Sequence, residues 1–292
     1  MNEGFVFALA AALVFGGYLV AIKRYFGHYP STLYVALVNA TALPWAVGIG
    51  VLTVPAAGYL PASLSTAGVA VLLGTGVLTA GALLAFFRAI RIGEVSYVAP
   101  LSKLVPVFVL PLEVLLLSQA LTPLQVAGVV VATGAVYVAN YRADGLLTPF
   151  RRAATNRAAQ FALLSAATFG VVDLGKRVVV QELAIPAATF VPVSLATVLV
   201  VVLPFAVRER DEVAVRGDLP ALVGMGLLTA VGQHLTALAF ETLPASVVSP
   251  LVNTQAVVAV VLGSLLLGES YFRTRLVAAA LAVGGITLIT LG

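Results

Sequence analysis

Ten apolar runs, each about the 20 residues a helix needs to cross a bilayer core, follow one another along this sequence. They lie near Phe5–Ile22, Leu33–Val54, Ala67–Ala89, Val95–Leu117, Leu124–Tyr141, Ala158–Lys176, Ile185–Val207, Leu219–Phe240, Ala245–Gly268 and Leu276–Leu291. All are far too long for membrane β-strands, and backbone in lipid must satisfy its own hydrogen bonds, so the expected class is an all-α integral membrane protein. Only 10% of the chain is charged, against roughly a quarter in soluble domains. The first run has no basic region before it and no small-residue cleavage site after it, so it is expected to be a spanning helix rather than a removed leader.

The basic residues lie in short connections between the runs, which excludes a nucleic-acid face as the reason for the net charge of +4. Thirteen of the 16 Lys and Arg fall in odd-numbered connections: Lys23 and Arg24; Arg88 and Arg91; Arg142, Arg151, Arg152 and Arg157; Arg208, Arg210 and Arg216; Arg273 and Arg275. That bias predicts cytoplasmic odd connections and extracytoplasmic termini, in the plasma membrane. Membrane lipids and a small-molecule substrate are the expected partners, for a monomer or a homodimer. The charged connection Arg208–Asp218 suits a water-facing loop.

The sequence repeats. At an offset of 150, Gly74, Gly76, Thr79, Ser96 and Pro100 meet Gly224, Gly226, Thr229, Ser246 and Pro250. Nearer the N-terminus the offset becomes 154, aligning Phe7–Gly16 with Phe161–Gly170. Each unit holds five runs, an odd number, so the second must enter the membrane in the opposite orientation. The expected organisation is a first repeat over 1–141, a basic connection over 142–157 and an inverted second repeat over 158–292. Inverted repeats underlie many alternating-access transporters.

Two stretches stand out because they repeat and carry polar groups. Gly93–Ser118 holds Pro100, Pro106, Pro111, Lys103 and Glu113; its partner Leu243–Gly268 puts Pro250 on Pro100 and Asn253 on Lys103. A broken, polar-bearing helix in each half points to a binding site. Pro100, Pro106, Pro111 and Pro250 are the hinge candidates, since each removes a backbone donor.

These residues resemble the EamA-type branch of the drug/metabolite transporter superfamily. The resemblance rests on Phe15-Gly16 followed by Lys23, and on Ala239–Glu269 with its closing Gly268-Glu269. In the first half Ser118-Gln119 replace that Gly-Glu pair, and Phe15 replaces the usual Trp. Lys103 within Ala99–Phe108 also resembles half-length EamA proteins that work as pairs. The resemblance implies a ten-helix basket in which spans one to four and six to nine line a cavity while spans five and ten pack outside. It also implies transport, often export, of a metabolite or drug, such as an amino acid or related compound.

Lys103 lies about 12 Å into its span at 1.5 Å per residue, near the midplane, where an ionisable group is a functional candidate. It suits an anionic substrate group or proton coupling, or else a structural ion pair. Glu113, about 15 Å further along, is expected at the wetted outer end of the span. Asn253 and Gln255 can donate and accept hydrogen bonds with a polar substrate, as can Gln233 and Asn39. His234 could relay protons or simply pack. Tyr18 and Trp45 offer polar edges and stacking surfaces. Asp173, Lys176 and Arg177 can pair at helical spacing, as interfacial anchors or a gate. Arg91 and Glu241 read as interfacial charges. Gly74, Gly76, Gly224 and Gly226 are expected to let helices approach closely.

The chain has no cysteine, which excludes disulfides and thiolate sites, and its two histidines are too few for an ordinary transition-metal site. No phosphate loop, zinc helix or nucleophile elbow is present. No metal, cofactor or enzyme activity is expected. The rival readings are a flippase for a lipid-linked sugar, which needs a lateral groove, and a non-transporting scaffold or sensor, which needs Lys103 and Asn253 sealed in packed interfaces.

Overall fold

The computed structural model describes residues 3–54, 58, 65–92, 101–140, 156–212, 215–267 and 272–292. Its helices are α1 (Glu3–Tyr25), α2 (Ser31–Thr53), α3 (Thr66–Ile92), α4 (Val105–Leu117), α5 (Pro123–Asn140), α6 (Arg157–Arg177), α7 (Ala187–Ala206), α8 (Leu219–Thr242), α9 (Ala245–Asn253), α10 (Gln255–Leu267) and α11 (Phe272–Leu291). Helices α9 and α10 are two halves of one span, so these elements make ten spans. Among the described residues seven helical segments are long and apolar enough to cross a membrane, and three shorter apolar helices accompany them. Among the described residues no strand occurs.

Apolar side chains face outward as well as inward, as lipid-facing helices require. Leu52, Leu115 and Leu265 are 87%, 78% and 70% exposed, whereas Ala8, Ala42, Ala80, Ala162, Ala166 and Ala230 are fully buried. Small residues in the interior let helices pack where lipid removes the ordinary hydrophobic drive between them.

The packing obeys a twofold pattern. Unlike positions pair twice: α1 with α8 and α6 with α3, α1 with α9 and α10 and α6 with α4. Like positions pair once: α2 with α7 and α5 with α11. Specific crossings obey it too. A Cβ on Gly16 would stand 2.6 Å from the Val258 Cβ, and one on Gly170 would stand 2.8 Å from the Phe108 Cβ. Gly16 and Gly170 are 154 residues apart, and Phe108 and Val258 are 150 apart, so the two repeats make the same crossing. Likewise Gly76 faces Thr197 and Gly226 faces Thr41 at distances that leave no room for a Cβ. Gly74 and Gly224 meet nothing within 4 Å, so close approach belongs to only one glycine of each pair.

The ends of the helices sort by connection number. On one face Tyr29 donates to Asp218 at 2.8 Å, Thr32 to Glu209, and Arg91 lies 3.7 Å from Glu209. These contacts join the first and seventh connections to the end of α3. Burial and the Asp218 hydrogen bond push the Tyr29 phenol up to about 12, so it remains a donor. The Arg208–Asp218 connection is not a plain loop, because Val207–Glu212 and Val215–Asp218 form 3₁₀ turns. Glu241 accepts from the Ala187 N–H at 3.3 Å, at the start of α7. Arg142 to Thr155, and most of Pro55–Thr66, lie outside the described residues.

Candidate functional site

The repeated span breaks in the same place in both halves. In the second copy α9 ends at Asn253 and α10 starts at Gln255, with Thr254 as a turn between them. The Thr254 hydroxyl donates to the Leu251 carbonyl at 2.6 Å, diverting an acceptor from the helix ladder. In the first copy Leu101 and Ser102 are helical, Lys103 lies in a turn and α4 starts at Val105. Pro106 sits in the first turn of α4, where its missing N–H goes unneeded. It sits beside the break at Lys103 and Leu104. Pro111 and Pro250 lie inside helices, and Pro100 lies outside the described residues.

Both breaks open onto one cavity of about 330 Å³ between the repeats. Spans one to four and six to nine all contribute to its wall, and among the described residues none of α5 or α11 does. Six of the residues singled out from the sequence meet there: Tyr18, Asn39, Lys103, Gln233, Asn253 and Gln255. Asn39 Nδ2 donates to Val35 O at 2.8 Å and Asn253 Nδ2 to Ser249 O at 2.9 Å. Both amides therefore spend a donor on their own helix and keep the carbonyl oxygen for other groups. Among the described residues Lys103 makes no hydrogen bond or ion pair, and its side chain lines the cavity.

Asp173 and Lys176 also line this cavity. Their side chains, 12% and 14% exposed, pair at 3.1 Å, and Lys176 lies 5.8 Å from the Phe240 ring centroid. They are not interfacial anchors. The signal was legible in part: Ser165, Phe169, Asp173 and Lys176 recur at intervals of four, four and three, one stripe of α6.

Three other candidates lie elsewhere. Trp45 is 40% exposed on α2, its indole N–H donating to Val223 O at 3.2 Å. His234 is buried beside the cavity wall without lining it, with Nδ1 2.9 Å from Ala230 O. Glu113 is fully buried rather than wetted. It accepts from the Ala245 N–H at 2.6 Å, the Ser246 N–H at 2.7 Å, the Ser246 hydroxyl and Arg177. The first two are orphan donors at the start of α9, where a carboxylate also complements the helix dipole.

Arg177 completes the cluster. It donates from Nε to Gln181 at 2.8 Å and from Nη2 to Gln119 at 3.0 Å, while Gln181 donates to the Phe240 and Leu243 carbonyls at the end of α8. Gln181 lies in a single π-helical stretch, Val178–Glu182, that continues α6. This network ties the ends of α4, α6 and α8 to the start of α9, on the face opposite Asp218 and Glu209.

The EamA-like transporter family model matches residues 2–141 and again 156–291. The chain belongs to the EamA-like transporter family. It is thus a multi-pass membrane protein of the drug/metabolite transporter type, from a family of transporters rather than enzymes. No curated protein matches it. Chains of solved structures do match its fold. One, described as "Crystal structure of protein", is 18% identical, has a TM-score of 0.79, and is matched over 99% of this chain and 98% of its own. That likeness shows the fold alone.

Within the EamA-like repeat, Ser118 and Gln119 occupy the positions of Gly268 and Glu269. Ser118 caps α4 at φ 51°, a left-handed conformation that glycine adopts without strain. Gln119 accepts from Arg177, which also pairs with Glu113. Gly268 and Glu269 themselves lie outside the described residues.

Proposed function

We propose that this EamA-like protein is a secondary transporter that exports a small polar or amphipathic metabolite across the plasma membrane by alternating access. The observation that carries the reading is a cavity walled by both repeats, with the two helix breaks and their polar residues Lys103 and Asn253 on its surface. The rival scaffold reading expects those two side chains to be sealed in packed interfaces. Carbonyl oxygens of Asn39 and Asn253, with Gln233 and Gln255, suit hydrogen-bond donors on a substrate.

Alternating access in such a fold is a rocking of one repeat against the other. The Glu113–Arg177 cluster links α4 of the first repeat to α6, α8 and α9 of the second, so it is suited to hold one mouth closed. The loop contacts of Asp218 and Glu209 are suited to hold the other. The Lys and Arg bias puts the Glu113 end outside and both termini extracytoplasmic. A cytoplasm-active reporter fused to Gly292 should stay silent, and its activity would reverse that orientation.

The test of function is solute flux in proteoliposomes across a panel of amino acids, organic acids, amines, nucleotide sugars and lipid-linked sugars. Flux of a water-soluble member, reduced by Asn253→Ala, supports the reading. Movement of lipid-linked sugars alone turns it into the flippase reading, and no movement of any member contradicts it.

A further inference from the structure

We infer that the cavity selects organic monoanions: solutes with one carboxylate or comparable group, held at Lys103, and an otherwise uncharged body. The cavity's role as a transport site is taken from the reading above; its charge preference rests on separate observations.

The first is the balance of charge on the wall. Among the described residues three charged side chains line the cavity: Lys103, Asp173 and Lys176. Asp173 and Lys176 satisfy one another at 3.1 Å. Lys103 is left with no counter-ion among the described residues. Two further described carboxylates of the spans are engaged elsewhere, Glu113 with Arg177 and the start of α9, Glu241 with the Ala187 N–H. The described wall therefore offers one lysine amine, without a carboxylate partner, to an anionic group.

The second is the direction of the half-helices. Val105 and Gln255, the first residues of α4 and α10, both line the cavity. Two 13-residue helices thus present their N-terminal, partially positive ends to the space beside Lys103.

The third is the remaining wall. Phe15, Tyr18, Phe169 and Phe190 supply apolar and aromatic surface, while Asn39 and Asn253 keep acceptor oxygens. A body with hydroxyl or amide N–H groups fits these; a second anionic group has no cation to meet. One bound anion balances the ammonium form of Lys103 on the described wall. A cation would instead double the positive charge there, which a low-dielectric site resists.

The experiment uses the detergent-purified full chain and matched probes: one aliphatic or aromatic body bearing in turn a carboxylate, a primary amide or an ammonium group. Thermal stabilisation reads binding. The carboxylate member should stabilise the protein most. Lys103→Gln should weaken its binding by about tenfold to a hundredfold while leaving the unliganded melting temperature near wild type, and Lys103→Arg should restore much of it. Equal stabilisation by the amide or ammonium members, no stabilisation by any carboxylate, or undiminished carboxylate binding in Lys103→Gln each overturns the inference. Flux separates it from the transport reading. Carboxylate binding without flux contradicts transport and leaves the charge preference standing. Flux of amide and ammonium members as fast as the carboxylate overturns the preference and leaves transport standing.

Discussion

Arg177 and Glu113 meet in a site where the glutamate has no solvent exposure, and the same carboxylate receives the first two N–H groups of α9. One side chain thus neutralises a guanidinium from α6 and caps a half-helix of the other repeat. Removing one member of such a pair leaves an uncompensated buried charge.

Glu113→Gln should therefore destabilise the protein by about 3–5 kcal/mol, and Arg177→Met by a comparable amount. The double variant should lose less than the sum of the two. A double-mutant cycle of melting temperatures in detergent measures this, and additive losses would show that the two residues do not act together.

Ser118 holds φ 51° where the second repeat has a glycine in sequence. Ser118→Gly should raise stability by about 1 kcal/mol by relieving the left-handed backbone. A lowered melting temperature would contradict that account of the cap.

The glycines divide by what they face. Gly16→Leu and Gly170→Leu should disrupt the two equivalent crossings against Val258 and Phe108, lowering both expression and melting temperature. Gly74→Ala and Gly224→Ala meet open space and should be neutral or favourable by up to about 1 kcal/mol. Parallel thermal scans of the four variants test the division.

The chain has one tryptophan, so its fluorescence reports a single place. Trp45 lies on the outward side of α2, and brominated lipid chains should quench it strongly, whereas a cavity ligand should leave its emission unchanged. Ligand-dependent emission without lipid quenching would put Trp45 on the cavity wall.

The sequence carried the large features because they depend on run length and repetition. Ten apolar runs, two copies and paired breaks follow from lipid thickness and from the offsets of 150 and 154. Tyr18, Asn39, Lys103, Gln233, Asn253 and Gln255 were legible because a polar group in an apolar run must find an interior. Which interior it finds is another matter. Apart from α6 and the short α9, these helices carry no amphipathic stripe that says which face meets lipid and which meets protein. Trp45 looked like Tyr18 on that basis, yet the two point to different surroundings. Glu113 was unreadable for a second reason. Its partners Arg177, Ala245 and Ser246 are 64, 132 and 133 residues away, brought together only where the ends of four helices converge. Ser118-Gln119 looked like a departure from Gly-Glu, and only the left-handed cap and the Arg177 contact give that departure a physical meaning.

The central claim is that the space between the repeats is a water-accessible pathway, and the natural absence of cysteine allows it to be tested cleanly. Thr79→Cys and Ser194→Cys place one thiol on the cavity wall from each repeat, and Ala132→Cys places one in the buried α5–α11 interface. The measurement is labelling by a membrane-impermeant thiol reagent, applied to either side of sealed vesicles. The account predicts that both wall cysteines react from the aqueous phase and that Ala132→Cys reacts only after denaturation. Wall cysteines that stay unreactive from both sides until the protein is unfolded would contradict it.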